Sequence, residues 1–281
     1  MKDLIKAIRL AVNMSQEQFA LALGTTPLSI NRWENGKTVA NRMAQTQLYN
    51  FCKDYSIDVT QLIVSAKAYN NTGDKLVLYH GSKRGIDGDI APISRSECDF
   101  GRGFYMGTNT LQPLTLVCNE NKPKFYAVEL DLSGLKVLTV DIGMDWAMLI
   151  AYYRKEMESA KGSAIYEKYA HRADGYDVIV GYIADDRMYT ELSRFFNRTL
   201  TDVALINCLS ALDLGKQYVA VSEKACKQIK ILEEKTLSQL ELSLLKDMSM
   251  QRRKDGIALA EEIEVKYRRE GKFFDEILRG E

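Results

Sequence analysis

The stretch from Leu76 to Thr108 limits the fold more than any other part of the chain. It opens with Leu76-Val77-Leu78-Tyr79-His80-Gly81-Ser82, a short run of β-branched, aromatic and aliphatic residues ended by Gly-Ser. That is the pattern of a strand running into a turn. It closes with Asp99-Phe100-Gly101-Arg102-Gly103-Phe104-Tyr105-Met106-Gly107-Thr108, where two glycines flank Arg102 ahead of an aromatic pair. Glycine there admits backbone conformations that other residues resist and lets a ligand come close to the main chain. His80, one of 2 histidines in the molecule, stands at the end of the first strand.

On either side of this stretch the periodicity changes. Residues 1–68 give five short helices. Leu4, Ile5, Ile8 and Val12 form an apolar stripe, Ser15 with Gln18 makes a capping box, and Thr26 caps a helix that has Pro27 in its first position. That helix runs through Ser29, Ile30, Arg32 and Trp33 to Asn35, and Gly36 stops it. Helix, glycine turn, helix at this spacing is the helix-turn-helix unit. Ser65 to Asp74, with the polar, turn-rich Asn70-Asn71-Thr72-Gly73, marks a boundary.

Beyond it, strands are expected at Phe125–Leu130 and Leu135–Val140, joined at Ser133-Gly134, and at Tyr176–Ile183 and Gly215–Val221. Helices are expected at Thr110–Cys118, at Met144–Glu158 as an amphipathic segment, and at Met188–Arg198 and Asp202–Leu212. The order does not repeat as βαβ units, and there is no Gly-x-Gly-x-x-Gly, so α+β fits better than a doubly wound nucleotide fold. The last fifty residues carry leucines at helical spacing among many charges, including Arg252-Arg253-Lys254. They read as a solvated helical hairpin packing on the catalytic α+β domain, or as a self-inhibiting or partner-binding tail. The expected domains are therefore 1–68 (all-α), 74–232 (α+β) and 233–281 (helical tail).

Composition narrows the setting. Five cysteines are scattered without Cys-x-x-Cys spacing, which argues for reduced thiols in a cytoplasm and against a zinc or other metal site. Lys2, Asp3 and Lys6 interrupt any signal-peptide core, and no apolar run is long enough to span a bilayer, so no membrane partner is expected. The formal net charge is +0, so DNA binding must come from a local patch.

Two resemblances follow from these motifs. Met14-Ser15-Gln16-Glu17-Gln18-Phe19-Ala20, Gly24-Thr25-Thr26 and Ile30-Asn31-Arg32-Trp33-Glu34-Asn35-Gly36-Lys37 resemble the Cro and phage-repressor type of DNA-binding domain. Such domains insert the third helix into the major groove by its N-terminal end. The resemblance places Thr26, Leu28, Ser29 and Arg32 near bases or phosphates and Asn35 and Lys37 on the backbone. It also implies a homodimer on two half-sites. Pro27 and Leu28 stand where relatives often carry polar base readers.

His80, followed some two dozen residues later by Gly103-Phe104-Tyr105, resembles the ADP-ribosyltransferase superfamily. More narrowly, the chain is similar to a bacterial family marked by Tyr-His-Gly-Ser and Asp-Phe-Gly-Arg/Lys-Gly-Phe-Tyr. The resemblance implies a split-sheet cleft holding NAD as co-substrate. His80 would bond the adenine-side ribose, Tyr105 would stack on the nicotinamide, Gly81 would also bind the cofactor, and Ser82 would touch the nicotinamide amide region. Arg102 would meet the pyrophosphate, or else sit on the surface of a turn. The superfamily usually carries a glutamate on a late strand; the strand similar to that one begins here with Gln217. Glutamine can hold a hydroxyl but cannot act as a general base. The domain would then use an acceptor already nucleophilic enough, borrow Asp185 or Asp186 as its acid, or bind NAD-like ligands without turnover; those aspartates otherwise cap the helix that follows. Two readings stay open. One is a mono-ADP-ribosyltransferase, toxin-like, paired with an antitoxin and acting on a protein or nucleic-acid acceptor. The other is a transcriptional regulator whose degenerate transferase domain senses NAD or ADP-ribose.

Overall fold

The computed structural model describes residues 2–64, 70–184, 186–211 and 215–279, and among these the side chains of all but Lys2, Asp3, Asp186, Arg187 and Leu278. Five helices open the chain: α1 (Lys2–Ala11), α2 (Gln16–Ala22), α3 (Pro27–Glu34), α4 (Arg42–Asp54) and α5 (Val59–Ile63). Their starts are set by local chemistry. The Ser15 hydroxyl accepts from the Gln18 N–H while the Gln18 side chain accepts from the Ser15 N–H, closing the capping box. Thr26, Asn41 and Asp58 cap α3, α4 and α5. The apolar faces meet at Ile8, Phe19, Ile30, Leu48 and Phe51 in one buried cluster. Arg9 Nε donates to Glu34 at 2.7 Å, and Gln16 Nε2 donates to the same carboxylate at 2.7 Å, so the ends of three helices are tied together.

The second half contains β1 (Lys75–Ser82), β2 (Phe104–Gly107), α6 (Leu111–Val117), β3 (Lys124–Asp131), β4 (Val137–Val140), α7 (Met144–Tyr153), α8 (Ala164–Ala170), β5 (Val178–Tyr182), α9 (Asp186–Phe196), α10 (Asp202–Ala211), β6 (Lys216–Ala220), α11 (Glu223–Cys226) and β7 (Ile229–Thr236). The strands form one mixed sheet in the order β4-β5-β6-β2-β1-β3-β7. β4 and β5 are parallel, and the other neighbours are antiparallel. β1 pairs with β3 along its whole length, from Lys75↔Asp131 to Ser82↔Lys124, whereas β1 and β2 share only the pair Tyr79↔Gly107. Past that pair the two strands part, so the sheet splits into a β1-β3-β7 half and a β2-β6-β5-β4 half. The split falls at the His80 end of β1.

Several expected elements differ. The strands on either side of Ser133-Gly134 both form but do not pair: β3 lies next to one edge strand, and β4 is the opposite edge. The turn sends the chain across the sheet because β4 finds its partner in the buried strand β5. The expected amphipathic helix at 144–158 ends at Tyr153 and is buried from Trp146 through Ala151; a helix enclosed on all sides needs no polar face. Residues 65–69 of the expected boundary lie outside the described residues.

The largest correction is the tail. β7 extends to Thr236, past the expected boundary at 232, and the expected hairpin is one 29-residue helix, α12 (Gln239–Tyr267), followed by α13 (Phe274–Arg279). α12 packs on the sheet domain, as expected of the tail, and also on the first five helices. Its Leu240, Leu244 and Leu245 join the buried cluster of the first five helices, together with Leu114 of α6. Arg42 of α4 donates to both oxygens of Asp247, at 2.7 and 3.2 Å. Further along, Glu264 pairs with Arg194 of α9, and Ala260 packs on α10 through the Cys208 thiol. The helix-turn-helix unit therefore shares its core with the rest of the chain.

Candidate functional site

The split between β1 and β2 opens into a cleft of about 750 Å³. One lip is His80, Gly81 and Ser82; the other carries Gly103, Tyr105 and Gln217. Gly81 is fixed by packing: a Cβ there would come within 2.2 Å of the Pro113 carbonyl oxygen, so only glycine lets α6 lie so close to β1.

His80 bridges the gap where the strands part. Its Nδ1 lies 2.7 Å from the Tyr105 carbonyl oxygen. A carbonyl only accepts, so Nδ1 carries the proton. Burial pushes the His80 pKa below its ordinary value, against the smaller upward pull of that bond. The ring is thus neutral at pH 7, with Nε2 an acceptor. It stacks on Phe104 with centroids 4.3 Å apart.

Tyr105 follows Phe104 on the strand, so its side chain points to the other sheet face, where it packs on the cluster containing Phe100 and Trp146. Its hydroxyl accepts from the Phe100 N–H at 3.0 Å and donates to the Gly101 carbonyl at 2.7 Å. Burial pushes its pKa well up. The same hydroxyl therefore holds the glycine loop, in which Gly101 has φ +73° beneath the Tyr153 ring. His80 and Tyr105 both reach the cleft, but their rings approach from opposite faces rather than facing each other. Alternation along β2, together with the His80–Phe104 stack, is the physical reason.

Gln217 is 5% exposed, and both amide hydrogens are engaged. Nε2 donates to Asp99 Oδ2 at 2.7 Å and to the Tyr182 carbonyl at 3.0 Å, leaving Oε1 as the atom able to accept from a ligand. Asp99, 6% exposed, pairs with Arg154 and accepts from the Ala184 N–H at 3.1 Å. The guanidinium of Arg154 lies over the Tyr189 ring, 4.8 Å from its centroid. Asp99 and Arg154 both line the cleft, and neither is singled out by residue type alone. The signal for Asp99 is its place at the head of the glycine loop; that for Arg154 is only its place at the end of a buried helix.

Other expected residues separate. Arg102 lies in a second, shallow hollow beside Tyr152, Tyr153 and Tyr166, not in the cleft, because Gly101 and Gly103 on either side of it are held inward by the Tyr105 and Ser94 bonds. The Ser82 hydroxyl closes a local turn, donating to the Gly85 carbonyl at 2.9 Å and accepting from its N–H at 3.0 Å. Asp185 lies outside the described residues, as does the side chain of Asp186, whose backbone begins α9. Among the described residues no group of three or more His, Cys, Asp and Glu could hold a metal, and no helix is long and apolar enough to cross a membrane.

The second face is α3. Thr26 accepts from the Ser29 N–H at 3.1 Å and bonds the Ser29 hydroxyl at 3.0 Å, so its first task is the cap. Leu28 is 58% exposed, and Arg32, Asn35 and Lys37 are also exposed. α12 packs against α4 and α5 rather than α3, which leaves this face uncovered.

These features define a helix-turn-helix domain joined to a mixed-sheet domain with a cleft at its split. Residues 5–46 match the model described as Helix-turn-helix, a domain class that binds DNA. Residues 76–231, more than half of the chain, match the model described as Protein of unknown function (DUF3990), and the chain belongs to that family. No curated protein and no solved structure matches it.

Proposed function

We propose that the cleft binds NAD and that the protein is an ADP-ribosyltransferase carrying its own DNA-binding domain. The observation that carries this is the sheet split, which leaves one Tyr79↔Gly107 pair between β1 and β2 and brings His80, Tyr105 and Gln217 around one cavity. The volume suits a dinucleotide, since ligand sites commonly enclose about 300–1,000 Å³. A neutral His80 offers Nε2 to a ribose hydroxyl, and Gln217 offers Oε1 to another. Asp99, itself paired with Arg154, fixes the Gln217 amide. Nicotinamide leaves neutral with the bonding electron pair, and an acceptor nucleophile bonds the anomeric carbon and loses its proton. Tyr105 acts by shaping the glycine loop rather than by presenting a free phenol.

Labelled NAD incubated with the full chain and a cell extract tests this. Transfer of label with nicotinamide release, lost in His80→Ala at unchanged thermal midpoint, supports the enzyme. NAD binding without release would assign the cleft to sensing instead. No NAD binding at all refutes both.

A further inference from the structure

The cleft has a third wall that neither lip supplies. Ser249, Arg252 and Arg253 of α12 line it, next to Thr115 and Asn119 from α6 and the residues just after it. The three α12 residues lie outside residues 76–231, the span that matches the family model. Two consecutive arginines on a helix point about 100° apart, and both of these border the one cavity. Arg252 is half-buried and Arg253 exposed, as expected for arginines whose stems pack and whose heads reach solvent.

Their position is held from both ends of the helix. Arg42 grips Asp247 before them, with Leu244 and Leu245 buried just upstream, and Ala260 and Glu264 pack on α10 and α9 after them. The cation expected at the pyrophosphate, Arg102, is in the other hollow. The remaining acidic lining, Asp87, Asp89 and Glu97, belongs to the exposed strap after β1, before the glycine loop.

We propose that Arg252 and Arg253 form the phosphate-binding subsite of the cleft, taking a diphosphate bridge such as that of a dinucleotide. This rests on the NAD reading for the identity of the ligand, though not for the chemistry of the subsite. Guanidinium forks match phosphate oxygens in pairs and stay charged at all working pH values. The long terminal helix thereby adds two cations to Arg95 and Arg154, which the sheet domain itself places in the lining, Arg154 being paired with Asp99.

The experiment measures binding to the full chain by calorimetry, with inorganic pyrophosphate, ADP-ribose and adenosine as probes, for wild type and Arg252→Gln/Arg253→Gln. Both positions reach solvent, and thermal midpoints confirm that the variant folds. The variant is expected to lose on the order of 100-fold in affinity for ADP-ribose and pyrophosphate, the loss of about two charge-assisted bonds. Adenosine binding should stay unchanged. Arg252→Lys/Arg253→Lys should fall between, because the charge remains and the fork does not.

ADP-ribose affinity equal in wild type and the glutamine variant overturns the subsite while leaving the NAD reading intact. Wild type that binds pyrophosphate, loses it in the variant and ignores NAD keeps the subsite and removes the NAD reading. Failure of wild type to bind either phosphate probe overturns the subsite.

Discussion

Gln217→Glu is the sharpest perturbation of this site, because it tests why an amide and not a second carboxylate is packed against Asp99. In the wild type Nε2 donates to Asp99 Oδ2 at 2.7 Å and to the Tyr182 carbonyl at 3.0 Å. The substitution replaces that nitrogen with oxygen and sets two carboxylates against each other in a site that is nearly closed to water. If both stayed charged at that distance, repulsion would reach about 6 kcal/mol at an effective dielectric of about 20. The cheaper course is to keep a proton on the introduced carboxyl. From an ordinary value of about 4.3, that costs about 3.7 kcal/mol at pH 7 and about 1 kcal/mol at pH 5. The protonated acid can donate to Asp99 but not also to Tyr182, adding about 1 kcal/mol for one lost bond. The expected deficit is roughly 4–5 kcal/mol at pH 7 and about 2 at pH 5.

The sign follows from linkage. A carboxyl whose folded pKa is raised binds more protons folded than unfolded, so stability falls as pH rises. Urea unfolding of the full chain at both pH values measures the deficit. In Asp99→Asn/Gln217→Glu the amide and the acid exchange places, and the pH dependence should vanish. A deficit equal at pH 5 and pH 7, or below about 1 kcal/mol at pH 7, would refute the Asp99–Gln217 contact as the reason for glutamine here.

Tyr105→Phe removes the hydroxyl that holds Phe100 and Gly101; an expected loss of about 1–3 kcal/mol in urea unfolding checks it, and an unchanged midpoint would mean that the loop holds itself. His80 is buried with its pKa lowered, so the unfolded chain takes up a proton more readily as pH falls below about 6.5. Wild type should therefore lose stability from that point down towards the folded value, and His80→Gln should flatten this limb; identical limbs would show that His80 is not buried neutral. Arg32→Ala should weaken binding to a selected operator by about 1–3 kcal/mol in fluorescence anisotropy and relax preference at one base; equal weakening on all sequences would move Arg32 to the phosphate backbone.

Much of the first half was legible because its signals are local. Ser15 with Gln18, and Thr26 with Pro27, fix helix starts within four residues, and the structure places the caps there. The strand that ends at His80-Gly81-Ser82 was equally plain, since its apolar run and its turn are adjacent. What was not legible is what each side chain meets. Tyr105 reads as a ring available for stacking, yet alternation against Phe104 sends it to the face opposite the His80 stack. Arg102 reads as a cation between two glycines aimed at a ligand, but those glycines turn inward and Arg102 outward. Asp99 stands in plain view at the head of the same motif. Its importance comes from Arg154, Ala184 and Gln217, which lie 55, 85 and 118 residues away in sequence.

The terminal helix shows the same limit on a larger scale. A helix covered on one side shows an apolar stripe, and periodicity finds it. α12 meets α4, α5 and α6, then α9 and α10 further along, so its buried residues are spread around the axis and no single stripe survives. Leu242 and Leu245 fall about 60° apart on one side, Leu240 and Leu244 about 40° apart on another. Summed over the whole length, such a helix resembles a polar appendage. The contact that settles the matter, Arg42 with Asp247, joins residues 205 positions apart. Asp247 is only 7% exposed and would be an improbable buried acid without that arginine. A buried, paired carboxylate in a segment that looks solvated is therefore the mark of a helix enclosed by two domains, and it can be recognised only once both are folded around it.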